Sequence, residues 1–471
     1  MHKLLITFIF IFISNFSFAQ YPSQNVTLLS TWDSIGISSE PFYGIRYAGC
    51  WGWHDGNGHE YAIIGSTEGY HVVEVTNPTA PVQRAFIPGC VNQAIWREIK
   101  TYENYVYCVS DDGGSNCMII ADLSYLPDSV HVVHRSNSII ERSHTIFVEG
   151  NKLYANLVHG GSISGASASM AVYSLANPEL PVKLREFNQD VPNITVVHDA
   201  IAVNDTVYAS CGFEGLYIAK FDTVLNQFNL INTVTTYPQQ GYNHATAITG
   251  NHKTLIITDE VPTGLPLKAF DIADVMNISF PSVFASTPTT TATPHNPFML
   301  DGDKLIVAYY QDGLQIFDLS NPSSPALLGY LDTNPTDGAG LPNPAYSGCW
   351  GAYVDLPSGN ILASDMQNGL FVINISQALG LNESQSFEFN VNVFPNPCSD
   401  FVELHFTAIK NETITVLIND VNGKTIVAKN FDVKAGSNVF RIPLSDFSNG
   451  VYIINANNEN HSVTKRMIKI D

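Results

Sequence analysis

The chain has 471 residues and a formal net charge of −21, from 22 lysines and arginines against 43 aspartates and glutamates. Its length predicts roughly three domains, although one large all-β domain can be well above that average size. Only 14% of its residues are charged, whereas glycine and proline contribute 58 residues and tyrosine and phenylalanine 47. Many turn formers and aromatic residues indicate an all-β protein. The acidic balance argues against nucleic acid as a partner, because phosphate binding requires lysine and arginine.

The N-terminal segment, residues 1–19, is predicted to be a secretory signal peptide. An early lysine is followed by an apolar run from Leu4 to Ile13, and small and polar residues then end at Ala19. We place the cleavage site between Ala19 and Gln20. The run is shorter than the about 20 apolar residues that cross a bilayer, although an N-terminal membrane anchor stays open as the alternative. With no transmembrane segment predicted further along, the mature chain would pass through an oxidising periplasm, where disulfides can form.

Residues 20–376 repeat one pattern of about 50 residues. Each copy begins with an aromatic residue or a histidine, continues through two β-rich runs joined by a glycine turn, and ends in an apolar strand; the clearest copy is 294–333. The first residues of the copies lie 45 to 55 positions apart, and they are Trp51, Trp96, His144, His198, His244, His295 and Trp350. Such periods, with four short strands each, are typical of propeller blades, so the seven copies predict a seven-bladed β-propeller.

The last copy lacks a fourth strand, and the N-terminal part of the mature chain offers a candidate for it. Residues 25–33 (NVTLLSTWD) resemble the strand at 326–332 (ALLGYLD) in the sixth copy. The N-terminal segment is therefore predicted to complete the last blade and close the ring. Closure would remove the exposed edge that an open sheet carries.

The copies resemble the LVIVD-repeat β-propellers of the choice-of-anchor B family, which bacteria export and attach to their surfaces. The matching segments cover about residues 25–376. They are 95–100 (IWREIK), 143–145 (SHT), 198–199 (HD), 243–245 (NHA), 259–260 (DE), 294–296 (PHN), 348–351 (GCWG) and 356–360 (LPSGN). The resemblance implies an exported surface propeller, and it brings no established biochemical activity with it.

A composition break separates the repeats from the C-terminal part. Residues 388–471 contain 8 basic and 9 acidic residues, whereas residues 21–387 contain 13 basic and 34 acidic ones. Residues 377–387 are mostly polar, without a strand pattern, and are predicted to form a linker. The C-terminal part shows about seven short strand-like runs, the pattern of a small Ig-like β-sandwich.

Four segments of this C-terminal part are similar to the type A sorting domain of the Bacteroidetes type IX secretion system. They are 393–397 (VFPNP), 418–424 (INDVNGK), 444–452 (LSDFSNGVY) and 465–470 (KRMIKI). The resemblance implies that residues 388–471 are recognised by the outer-membrane secretion machinery, usually with later cleavage and then surface attachment or release. The protein is therefore expected at the outer-membrane surface or in the medium. An ordinary Ig-like adhesion domain is the alternative.

Four histidines at one repeat position form the most distinctive polar pattern. The first strands of a propeller line its central channel, so these side chains are expected near the channel mouth, with several acids at related positions. The candidate ligand-binding or metal-binding residues are His144, His198, Asp199, His244, Asp259, His295 and Asp312. Imidazole and carboxylate groups suit divalent transition metals. Three roles stay open: hydrogen bonding to the backbone within each blade, a metal or ligand site, or catalysis.

Tryptophans occupy the same repeat position in the other three blades. Trp51, Trp96 and Trp350 are predicted at the channel mouth, where they either stack on a sugar or peptide or belong to the core.

Seven cysteines leave at least one unpaired. Cys108 and Cys117 flank the predicted turn at residues 112–113 symmetrically, which predicts a cross-strand disulfide. Cys50 and Cys349, at matching positions in adjacent blades, are a second candidate pair. Otherwise the cysteines are small buried hydrophobic residues.

We predict a binding or scaffolding module that recognises a glycan, a peptide or a surface protein. The alternative is a metal-dependent extracellular hydrolase that uses the histidine and carboxylate cluster. The sequence contains no HExxH, CxxC, P-loop or EF-hand pattern. The histidine and carboxylate pattern suggests a divalent metal as a cofactor, and no catalytic residue is assigned.

Overall fold

The computed structural model describes residues 21–286, 292–300, 302–380, 389–408, 410–420, 423–458 and 462–470. The predicted signal peptide, with its cleavage site at Ala19 and Gln20, lies outside the described residues, and so does most of the predicted linker. The chain divides into two compact units, Met1–Leu379 and Gly380–Asp471.

The first unit contains seven antiparallel sheets, which confirms the seven blades predicted from the repeat. Two short strands come first, β1 (Ser23–Gln24) and β2 (Thr27–Trp32). Blade one consists of β3 (Tyr47–His54), β4 (Glu60–Ser66), β5 (Gly69–Glu74) and β6 (Val82–Pro88). Blade two consists of β7 (Arg97–Tyr102), β8 (Tyr105–Ser110), β9 (Met118–Asp122) and β10 (His131–Ser136). Blade three consists of β11 (Thr145–Glu149), β12 (Lys152–His159), β13 (Ser167–Ser174) and β14 (Val182–Glu186).

The remaining blades follow the same order from the inner strand outward. Blade four consists of β15 (Asp199–Val203), β16 (Thr206–Ser210), β17 (Leu216–Asp222) and β18 (Gln227–Val234). Blade five consists of β19 (Asn243–Ile248), β20 (Thr254–Asp259), β21 (Leu267–Asp271) and β22 (Ser279–Phe284). Blade six consists of β23 (Asn296–Leu300), β24 (Lys304–Ala308), β25 (Leu314–Asp318) and β26 (Ala326–Leu331). Blade seven contains β27 (Cys349–Tyr353), β28 (Ile361–Asp365) and β29 (Gly369–Asn374).

The N-terminal strand closes the ring, as the sequence predicted. Strand β2 pairs antiparallel with β29 as the fourth strand of blade seven, with Thr27 opposite Asn374 and Trp32 opposite Leu370. Strand β1 adds a fifth strand to blade six through the pairing of Ser23 with Leu331, which the sequence did not predict. The first strands of neighbouring blades contact one another in a continuous circle, and they therefore surround the central channel.

The core of the ring lies between adjacent blades. Every residue of β4 is buried, and its side chains alternate between two neighbours, as the two-residue period of a strand requires. Tyr61 and Ile63 pack with residues of blade two, whereas Ala62 and Ile64 pack with residues of blade seven. This burial on both faces explains why the middle strands appear in the sequence as nearly continuous apolar runs.

The second unit is a β-sandwich of seven strands, which confirms the predicted fold. One sheet has the order β30, β31, β34 and the other the order β33, β32, β35, β36. The strands are β30 (Phe389–Phe394), β31 (Phe401–Ala408), β32 (Glu412–Asp420), β33 (Thr425–Val433), β34 (Gly436–Pro443), β35 (Gly450–Asn457) and β36 (Ser462–Lys469). Val402, Leu404, Ile414 and Val416 are fully buried between the sheets. Across the described ranges, the one helix is a 3-10 turn at Phe187–Gln189, and no helix is long and apolar enough to span a bilayer.

Candidate functional site in the central channel

Six of the seven repeat-start residues pack against one another around one end of the channel. We call this set of aromatic side chains the collar. Its members are Trp96, His144, His198, His244, His295 and Trp350. The ring centroids of consecutive histidines lie 4.2 Å apart at each of the three steps. Trp350 lies 4.4 Å from His295 and stacks on Trp96 at 5.2 Å. The histidines therefore converge, instead of packing singly within their own blades.

The collar follows from where each first strand begins. His144, His198 and His295 directly precede β11, β15 and β23. His244 and Trp350 are the second residues of β19 and β27, and in both strands the pairing register shifts at that residue. Such a bulge leaves one residue out of the ladder and redirects its side chain. Two bulges thus bring His244 and Trp350 to the place that the other residues reach from outside their strands.

Main-chain carbonyls of the neighbouring blades orient two imidazoles. The Nδ1 atom of His198 lies 3.2 Å from the His244 carbonyl oxygen, and Nδ1 of His295 lies 2.7 Å from the Trp350 carbonyl oxygen. A carbonyl can only accept, so each Nδ1 carries the proton and donates. The Nε2 atoms of His198 and His295 therefore keep a free lone pair.

Two carboxylates lie beside the collar. The Nδ1 atom of His144 lies 2.7 Å from Oδ2 of Asp111. Glu260 places Oε2 4.0 Å from Nε2 of His244, while Tyr310 donates a hydrogen bond to its Oε1 at 2.8 Å. One ligand atom each from His198, His244 and Glu260 can be chosen so that all three lie within 4.8 Å of one another. This arrangement can hold a metal ion.

Burial keeps most of the collar neutral. It lowers the pKa of His198 and His244 well below the usual value and that of His295 to about 3. Burial alone would also lower the pKa of His144, but the hydrogen bond to Asp111 and the negative charges of Asp111, Glu260 and Asp199 together raise it. Burial raises the pKa of the Glu260 carboxyl, against the opposing effect of Tyr310. Three imidazoles are therefore in the neutral form that binds metals.

A cavity of about 290 Å³ continues from the collar along the channel. Residues of the first strands of all seven blades line it. One side carries Trp51, with the Lys100 ammonium 4.1 Å from its ring centroid and the Tyr353 ring centroid 4.9 Å away in an edge-to-face arrangement. Lys100 also forms an ion pair with Glu98, and burial raises the pKa of the nearby Asp199 to about 6. The cavity therefore combines aromatic rings with a compact set of charges.

Four of the predicted site residues lie outside the collar. Trp51 lies outside the collar because its strand, β3, begins four residues earlier, at Tyr47. Trp51 is therefore further along the channel than the other repeat-start residues. Asp199 lines the channel cavity. The structure pairs two of the predicted acids with groups other than the histidines. Asp259 forms an ion pair with Lys268 at 2.5 Å and accepts a hydrogen bond from the Tyr237 hydroxyl at 2.8 Å. Asp312 accepts a hydrogen bond from the Ser286 hydroxyl.

The predicted disulfide between Cys108 and Cys117 is wrong. Cys117 is bonded to Cys90, with the two Cα atoms 5.8 Å apart, and Cys108 is a free buried cysteine. The prediction assumed a symmetric turn at residues 112–113, but Cys108 pairs with Ile119 in the ladder of β8 and β9. The bond joins the end of blade one to the start of β9 in blade two. Cys50 and Cys349 are also free and buried.

Sequence reasoning missed three residues around the collar: Asp111, Glu260 and Tyr310. Each comes one or two positions after the second strand of its blade, at the edge where the first strand begins. Glu260 directly follows Asp259, which is the acid that the sequence predicts for the site. Because successive side chains alternate, Asp259 enters the blade and Glu260 faces the collar. The alternation is the signal that could have identified it.

Two family models match parts of the chain. Residues 392–470 match the secretion system C-terminal sorting domain, and residues 299–333 match the LVIVD repeat. No curated protein matches the chain significantly. The sorting domain establishes that the protein is exported through the type IX machinery, to the outer-membrane surface or the medium.

The solved structures that match this chain include three proteins that are named as lactonases. A "putative 6-phosphogluconolactonase" from Bacteroides fragilis NCTC 9343 is 10% identical, with a TM-score of 0.48, over 82% of this chain and 98% of that one. Its counterpart from Bacteroides uniformis ATCC 8492 is 12% identical, with a TM-score of 0.48, over 80% and 96%. The periplasmic gluconolactonase of Pseudomonas aeruginosa is 10% identical, with a TM-score of 0.48, over 84% and 98%.

Proposed function

We propose that this exported propeller is a binding module that takes a saccharide unit of a surface glycan into its central channel. The observation that supports the proposal best is the cavity of about 290 Å³ with Trp51 on its wall. Ligand pockets usually measure about 300–1,000 Å³ and combine apolar walls with a few polar groups. A peptide or surface protein remains the alternative ligand, and surface attachment of the choice-of-anchor B type belongs to the same proposal.

The lining suits the two kinds of surface that a sugar presents. Trp51 and Tyr353 offer ring faces and edges to apolar C–H groups, while Glu98, Lys100 and Asp199 offer hydrogen-bonding groups to hydroxyls. On other parts of the wall, Phe147, Phe298 and Met299 are apolar. A ligand with one polar and one apolar face would therefore pair both of its surfaces.

A binding screen tests this proposal. The mature protein is applied to an array of glycans and peptides, and hits are measured by calorimetry. Trp51→Ala should weaken saccharide binding at least about tenfold, whereas Phe213→Ala, which alters an exposed ring that does not line the cavity, should leave it unchanged. Binding that is indifferent to Trp51→Ala, or a wild-type protein that binds peptides and no saccharide, would refute the proposal.

One observation favours a second candidate function, a metal-dependent hydrolase. Two imidazoles and one carboxylate approach each other at the collar, and two histidines with one glutamate are a ligand set of catalytic zinc sites. Chromogenic ester, glycoside and peptide substrates would be assayed after chelation and after addition of Zn²⁺. Hydrolysis that requires the metal and is lost in Glu260→Gln would show that the protein is a metal-dependent hydrolase. Equal hydrolysis rates in the wild type and in Glu260→Gln would rule this function out.

A further inference from the structure

We propose that His198, His244 and Glu260 bind one divalent transition-metal ion, with Zn²⁺ as the ion that their donor atoms fit best. The proposal goes beyond ligand binding in the channel, because it assigns a separate site at the collar. It rests on the spacing of the donor atoms, on the groups that orient two of them and on a small space beside His244.

The spacing of the donor atoms matches one shared ion. A Zn²⁺ ion lies about 2.0–2.1 Å from nitrogen and about 2.0–2.2 Å from oxygen ligands, so two of its ligands lie between about 3.3 Å apart in a tetrahedron and about 4.2 Å apart on a line. Nε2 of His244 and Oε2 of Glu260 are 4.0 Å apart. That separation is too long for a hydrogen bond and within the range for a shared ion. The three donor atoms span at most 4.8 Å, so small side-chain rotations would complete the site.

Hydrogen bonds already orient two of the three ligands, His198 and Glu260, as a metal site requires. Metal-binding histidines usually donate their second N–H to a carbonyl or a carboxylate, which fixes the tautomer. His198 does so through Nδ1 to the His244 carbonyl oxygen. Tyr310 binds Oε1 of Glu260 at 2.8 Å and leaves Oε2 facing His244. Tyr310 is therefore a positioning residue for the carboxylate.

Of the three proposed ligands, His244 alone lines a space of about 10 Å³, whose other lining residues include Trp96, His144, His295 and Trp350. That volume is about the minimum for one water molecule. Arg97 also borders the space, but its guanidinium donates to the carbonyls of Ser66 and Val91, and so it is engaged elsewhere. Four-coordinate zinc would need one water molecule besides the three protein ligands.

Zinc titration of the mature protein tests the site. After EDTA treatment and dialysis, the protein is titrated with Zn²⁺ alone by calorimetry, and bound metal is counted by mass spectrometry. We expect one Zn²⁺ per chain. His244→Ala should remove the binding, Glu260→Gln should weaken it at least about tenfold, and Tyr310→Phe should weaken it about 10–100-fold. The control His54→Ala, at an exposed histidine outside the collar, should bind like the wild type.

Two further measurements keep the outcome clear. Thermal melts show whether each variant folds, and if His244→Ala does not fold, the nearly isosteric Glu260→Gln decides. The visible spectrum of bound Co²⁺ should show tetrahedral nitrogen and oxygen ligands. Less than 0.1 equivalent of bound Zn²⁺, or binding that survives both His244→Ala and Glu260→Gln, would overturn the proposal. Saccharide binding is scored separately through Trp51→Ala, so the two proposals can fail independently.

Discussion

The carbonyl oxygen of Trp350 in blade seven lies 2.7 Å from Nδ1 of His295, which directly precedes the first strand of blade six. The same relationship joins His198 to His244 across blades four and five, at 3.2 Å. Each of these imidazoles is therefore held by the next blade. The collar ties neighbouring blades together at the axis, and the same bonds leave two Nε2 lone pairs unused.

We expect the closing strand to be essential for stability. Val26 is buried in the core shared by blades six and seven, whereas Thr27 beside it is exposed. Val26→Asp places a charge in that core and removes apolar burial worth about 1.5–3 kcal/mol, so the melting temperature should fall by many degrees. Thr27→Asp should change it little. Equal melting temperatures for the two variants would contradict the closure.

The disulfide predicts how many cysteines react with an alkylating reagent. After denaturation without reduction, alkylation should modify five cysteines, and after reduction it should modify all seven. Because the bond closes a loop of 27 residues, chain entropy predicts a loss of about 3.5 kcal/mol of stability in Cys90→Ser. Cys108→Ala removes a free buried thiol and should cost less. Seven reactive cysteines without reduction would show that the bond does not form.

A buried carboxyl makes stability depend on pH. Burial raises the pKa of Asp365 from 3.8 to about 6, although the Thr333 hydroxyl donates to the carboxylate at 2.6 Å. The folded protein therefore holds this proton more tightly than the unfolded chain, and the resulting stability is complete below about pH 4 and lost as the pH rises through about 6. The loss is about 3 kcal/mol.

Urea unfolding from pH 4 to pH 8 measures this effect. Asp365→Asn cannot ionise, so its stability relative to the wild type should rise by up to about 3 kcal/mol over that range. Asp128→Asn, at an exposed position, corrects for the loss of one negative charge. A stability difference between Asp365→Asn and the wild type that stays constant with pH would argue against a raised pKa.

Export should depend on the C-terminal unit. A chain without residues 388–471 lacks the sorting domain matched at 392–470 and should accumulate in the periplasm. Cell fractionation and immunoblotting of the medium would locate it. The converse fusion, an unrelated periplasmic reporter followed by residues 388–471, should reach the surface or the medium. Equal surface amounts of the truncated and full chains would show that another part of the protein directs export.

The fold was predictable because the repeat has a regular spacing in the sequence. The site was harder to predict because it depends on the exact pairing register of individual strands. Regular spacing of the starting residues was enough to count blades and to recognise the missing strand. A bulge at His244, the start of β3 four residues before Trp51 and the pairing of Cys108 with Ile119 are shifts of one to a few residues. A one-residue shift turns a side chain to the opposite face of a strand. No repeat of about 50 residues resolves such shifts, so the four histidines were identified while Glu260 was not.

Closure of the ring also imposes an order of events on biogenesis. Thr31 finds its partner Phe371 only about 340 residues later in the chain, and such distant contacts slow folding. While synthesis and translocation proceed, the leading strand waits unpaired and prone to aggregation. The sorting domain lies still later in the chain, at residues 392–470. Any chain that displays this sorting domain therefore already contains every strand of the ring.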